Sequence, residues 1–200
     1  MKVNGDFMSN EDKIKDYLDK NYGYITTSEI LSMNISKPLI KKYVENGLLR
    51  KVSHGLYIDN NLLQDDEYIF QRRYPEAIFS YNTALYFLNL SNRAPYKLEI
   101  TLSNKKRISC NYEVHYVSDK YYDIGIIEIE SMFGNPIKIY NAERSICDML
   151  RNGDFELELQ NTILRNYFRS KDKDLDKLLE YAKIFKIYDK VNTLVEYEMG

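Results

Sequence analysis

Cysteine and histidine are scarce in this chain of 200 residues, two of each. Cys110 and Cys147 stand far apart and form no C-x-x-C pair, which excludes a zinc ribbon, a redox dithiol and a disulfide framework and suits a reducing cytoplasm. His54 and His115 have no evident partner in the sequence, so histidine-based catalysis and histidine metal sites are not expected. Glycine is sparse too, and its eight residues spell neither G-x-x-x-x-G-K-[ST] nor G-x-G-x-x-G, the loops that cradle phosphates. No run approaches the ~18 apolar residues of a membrane span. The opening MKVNGDFMSNEDK lacks the apolar core of a signal peptide. The expectation is a cytoplasmic protein with no membrane partner, no metal and no cofactor. The formal net charge of −2 rules out a polycation, so any affinity for nucleic acid must come from a localised patch.

Such a patch lies within residues 26–58, TTSEILSMNISKPLIKKYVENGLLRKVSHGLYI. Thr26 and Glu29 have capping-box spacing, with Ile25 and Ile30 at the flanking staple positions, so a helix starts at Thr26. It is short, because Ser32, Met33 and Asn34 favour a break and asparagine tolerates a left-handed backbone. Ser36, Lys37 and Pro38 restart a helix, with proline in the first turn where its missing N–H costs nothing, and Asn46 and Gly47 stop it. On a helical wheel Leu39, Ile40, Tyr43 and Val44 share one half, and Lys37, Lys41, Lys42 and Glu45 the other. Two short apolar runs follow, separated by Arg50, Lys51 and a Ser53-His54-Gly55 turn, which predicts a basic hairpin. With an amphipathic helix over 10–21 packing behind, this is the pattern of a winged helix-turn-helix over residues 1–60. The charge is placed: Lys37, Lys41, Lys42, Arg50 and Lys51 face only Glu45, whereas Glu11, Asp12, Asp16 and Asp19 dominate the preceding helix. An ordinary solvated lysine face is the competing reading.

Asp59, Asn60 and Asn61 form a polar break, and residues 61–200 read as a larger mixed α/β domain. Helices are expected over 65–74, ended by Pro75, and over 81–90, capped by Ser80. β-rich segments lie near 97–102, 112–117, 124–129 and 136–140. A helix capped by Asn141 follows, then helical periodicity from Asp154 to the end. The fold class expected is therefore α+β, a winged helix followed by a mixed domain ending in helices. His115 alternates with Glu113 on one strand face and reads as structural. Glu128 and Glu130 alternate with isoleucines as the wet face of a strand rather than an acid–base pair. Lys105, Lys106 and Arg107, between two strands, suggest a hairpin tip that is either solvated or a secondary contact to phosphates. The run from Lys171 to Asp174 reads as a solvated connection.

Three segments, GLLRKVSHGLYI from Gly47, IFSYNTALYFLNLSNRAPYKLEITL from Ile78 and IKIYNAERSICDML from Ile137, together resemble the AbiEi family of abortive-infection antitoxins. The stretch from Glu143 to Asp148 looks like that family's E-R-[ST]-I-C-D helix start and serves packing. The resemblance implies a bacterial antitoxin of a type IV toxin–antitoxin system that represses its own operon by binding inverted repeats in double-stranded promoter DNA. It also implies a nucleotidyltransferase-like toxin as functional partner, counteracted without a stable complex. DNA binding would fall to Lys37, Lys41, Lys42, Arg50, Lys51 and His54, with Lys105, Lys106 and Arg107 as a secondary contact, and the C-terminal domain would carry antitoxicity. No catalytic residue is assigned: residues 61–200 hold no D…[DE]-x-K signature, which argues against nuclease activity. The alternative is a protein-interaction module that neutralises a toxin by direct binding.

Overall fold

The computed structural model describes residues 8–152 and 155–199. Residues 1–7, in the stretch read for a leader, and Asp154, where helical periodicity is expected to resume, lie outside them. The chain divides into two compact units, one running to Phe70 and including Ser131–Asn135, the other made of Gln71–Glu130 and the residues from Pro136 onward.

The first unit is a winged helix built from α1 (Asn10–Lys20), β1 (Tyr24–Thr26), α2 (Thr27–Ser32), α3 (Lys37–Glu45), β2 (Leu49–Ser53) and β3 (Leu56–Asp59). The capping box forms as its spacing predicts: the Glu29 amide donates to Thr26 Oγ1 at 3.2 Å, and the Thr26 amide donates to Glu29 Oε2 at 2.6 Å. Asn34 and Gly47, at φ +63° and +74°, follow α2 and α3 in the left-handed conformation that ends a helix. Ile14, Leu18, Ile30, Ile35, Ile40 and Tyr43 make the core. The strand β1 is absent from the sequence reading, because three residues offer no periodicity and Ile25 already reads as a helix staple. It pairs antiparallel with β3, giving the sheet order β1-β3-β2.

Helix α4 (Asp66–Arg73) contains the division between the units; buried Asp65 precedes it and accepts from the Tyr68 amide at 2.9 Å. The second unit holds a sheet of β4 (Ile78–Phe79), β5 (Glu99–Ser103), β6 (Glu113–Val117), β7 (Ile126–Glu130) and β8 (Pro136–Tyr140), in the order β6-β5-β4-β8-β7. The remaining elements are α5 (Tyr81–Phe87), α6 (Asp119–Tyr122), α7 (Ala142–Asn152), α8 (Leu157–Arg169), α9 (Leu175–Ile184) and α10 (Tyr188–Met199). The fold is thus α+β and ends in helices. Two differences from the sequence reading matter. Helix α5 stops at Phe87, with Asn89 left-handed at φ +58°. Strands β5 and β6 are parallel, so the segment carrying Lys105, Lys106 and Arg107 is a crossover connection and not a hairpin tip.

Helix α7 is buried from Glu143 to Leu150. Asn141 caps it, accepting from the Arg144 amide at 3.0 Å. Arg144 is fully buried: Nε donates to Asp148 Oδ2 at 2.8 Å, and Nη1 donates to the carbonyls of Tyr121 and Ile124 at 2.6 and 3.0 Å. Its guanidinium lies over the rings of Tyr140 and Phe185, at 4.2 and 4.5 Å from their centroids. Burial raises the Asp148 carboxyl pKa against the opposing pull of Arg144. Gly125, at φ +82°, packs so closely that an added Cβ would stand 2.7 Å from Arg144 Cβ. Among the described residues no helix is long and apolar enough to cross a membrane.

Candidate nucleic-acid interface

Helix α3 turns Ile40 and Tyr43 into the core and leaves Lys37, Lys41, Lys42 and Glu45 exposed. That division follows from its wheel, because apolar positions spaced three and four apart share one stripe. Asn46 and Gly47 then let the chain reverse into β2 and β3. The turn between these strands contains His54 and Gly55, the latter at φ +69°. Its carbonyl accepts from the Thr27 amide at 2.8 Å, which fixes the wing tip to the start of α2. The β2–β3 register shifts between Lys51 and Ser53, an irregularity of the kind that sharpens local twist.

A groove of about 550 Å³ runs between α3 and this wing. Its apolar lining comes from Ile40, Val44 and Tyr57, and its polar lining includes Lys37, Lys41, Lys51 and His54. Four of the six residues predicted for DNA binding therefore converge on one concavity. Lys42 is exposed but does not line it. Arg50 is half-buried and donates from Nη2 to the Leu62 carbonyl at 2.7 Å, outside the groove. Lys41 is 3.5 Å from Glu45 in a pair exposed on both sides, an arrangement worth little in water. Lys37 and Lys51 have no ion-pair partner among the described residues. Thr27 and Tyr57 also line the groove and are missed by the sequence reading; the signal that locates them is the pairing of β1 with β3.

The second basic cluster belongs to the other unit, and each of its cations is engaged. Lys105 pairs with Asp119, and Lys106 pairs with Glu76 at 2.9 Å. Arg107 donates to the carbonyls of Asn104 and Lys106 and lies over the Tyr116 ring at 4.3 Å. Hydrogen bonds from Lys105 and Lys106 hold the Asp119 and Glu76 carboxyls below the ordinary range. His115, read as partnerless apart from a neighbouring Glu113, is in fact paired with Glu99, its Nε2 2.8 Å from Oε2. Sixteen positions separate the two, and only the parallel pairing of β5 with β6 brings them together.

Positive side chains around a concave surface next to a helix suit an anionic polymer: lysines act as point charges on phosphates while the exposed helix face reaches a groove edge. No curated protein matches the chain. Residues 12–58, from α1 into β3, match the family model described as transcriptional regulator, AbiEi antitoxin, a regulatory family and not an enzyme family. Over this winged-helix segment the chain is similar to the AbiEi antitoxin family of transcriptional regulators.

Proposed function

We propose that this protein represses its own operon by docking α3 in the major groove of inverted repeats in the promoter, with Lys37, Lys41 and Lys51 on flanking phosphates and His54 at the wing tip. The observation that carries the reading is the shared groove of α3 and the wing. A helix of about 10–12 Å diameter fits a major groove of about 12 Å. Lys42 contacts the backbone from the outer side of α3, and Arg50 supports the wing from its bond to Leu62. One such head covers few base pairs, so two copies on an inverted repeat are expected.

The second unit, beyond the family match, carries the antitoxic half against a nucleotidyltransferase-like toxin encoded with it, without a stable complex. The two roles are separable by mutation. Full-chain K37A/K51A is expected to weaken promoter binding, each lysine lowering the salt slope by about 1, while still rescuing cells from the toxin. K183A/K186A, on the second unit, should leave promoter binding unchanged. Equal losses of binding in the two double variants, measured by fluorescence anisotropy on promoter DNA, would show that the wrong face has been assigned.

A further inference from the structure

The second unit gathers two carboxylates and an imidazole on one face of its sheet. Strands β5 and β6 place Glu99 opposite Glu113 and Thr101 opposite His115, and alternation sends Glu99, Glu113 and His115 to the same side. Their donor atoms all lie within 4.8 Å of one another. Like charges directly opposite in a sheet are destabilising, yet neither carboxylate has a lysine or arginine partner among the described residues. Arg93, in the same cleft, is taken by Glu156 at 2.7 Å.

The cluster is held from behind. The His115 ring stacks on Tyr81 with centroids 3.8 Å apart, and Glu99 Oε1 accepts from the Asn82 amide at 3.3 Å. Asn82 Oδ1 is buried with no hydrogen-bond partner among the described residues, in the lining of the same cleft. The Glu99 and His115 side chains are 16% and 23% exposed, and Glu113 is exposed. All three open onto a cleft of about 560 Å³.

We propose that Glu99, Glu113 and His115 bind a divalent transition-metal ion of the zinc class, with one coordination position open to the cleft. One imidazole and two carboxylates suit Zn²⁺, Co²⁺ or Mn²⁺ and not a soft ion such as Cu⁺. Donors at about 2.0–2.2 Å from a tetrahedral ion stand roughly 3.3–3.6 Å apart, so Glu113 closes in by up to about 1.5 Å while the Glu99–His115 pair opens slightly. Exposed Glu113 has the freedom to make that movement. Tyr81 and the Asn82 amide act as outer partners that orient His115 and Glu99. The ion neutralises the Glu99–Glu113 repulsion, and three protein ligands leave room for water or an oxygen ligand.

The test is titration of chelator-treated full-length protein with Co²⁺, followed by visible absorption, and with Zn²⁺, followed by calorimetry and thermal unfolding. One Co²⁺ per chain, displaced by Zn²⁺, and a higher melting temperature with Zn²⁺ are expected. E113Q and H115Q should each weaken binding by at least about tenfold, while C110S leaves it unchanged. E113Q alters an exposed position and relieves the repulsion, so a cooperative metal-free melting curve at or above that of the unaltered protein verifies its fold. Absence of Co²⁺ and Zn²⁺ uptake at submillimolar metal, or uptake that E113Q and H115Q leave unaltered, overturns the proposal.

Discussion

Arg144 is the residue on which the second unit turns. A buried guanidinium is tolerated because its charge meets Asp148, two of its nitrogens find acceptors, and its faces lie against Tyr140 and Phe185. Removing one member of a buried pair strands the other, at a cost of about 3–5 kcal/mol. R144A is therefore expected to lower the urea midpoint of the second unit by that equivalent. The apolar pair R144M/D148L should recover much of the loss, because no buried charge is then left alone. A loss under about 1 kcal/mol in R144A would mean that water reaches the pair. The stretch from Glu143 to Asp148 was legible as a helix start with a packing role, and its burial is greater than charged residues suggest. No local pattern announces that, since the acceptors at Tyr121 and Ile124 come from a distant segment of the chain.

At the scale of elements, legibility followed the range of the interactions. Helix α2 could be read because its start depends on Thr26 and Glu29, three positions apart, and α3 because Pro38 near its start and Gly47 after its end are local instructions. T26A removes one cap bond and should cost about 1 kcal/mol in the denaturation of the winged helix. A loss within about 0.3 kcal/mol would mean that β1 pairing alone holds the start of α2. Strand β4 was not legible: two residues long, it exists through Ile100 and Thr101 on one side and Ile139 on the other. The connection at Lys105 to Arg107 was misread for the same reason, since adjacent strands suggest a hairpin unless partners far along the chain dictate a parallel pair. In the candidate interface, Lys37, Lys41, Lys51 and His54 could be named from wheel and turn. The turning of Arg50 toward Leu62 depends on a loop that carries no recognisable signal.

At the scale of the whole molecule, a net charge of −2 means that any attraction to DNA must be a property of one surface and not of the chain. The acidic first turn of α1 and the cations of α3 and the wing occupy the same small unit, so on the proposed reading charge as well as shape would set its orientation on DNA. The second unit adds little to this field where Lys105 and Lys106 are paired internally. The most direct test is the salt dependence of full-chain binding to its own promoter. About five phosphate contacts per bound protomer predict a slope of log affinity against log salt near −4 to −5, falling to about −2 to −3 in K37A/K51A. A slope near zero, or one that K37A/K51A leaves unchanged, would contradict the assignment of the groove between α3 and the wing as the DNA-binding surface.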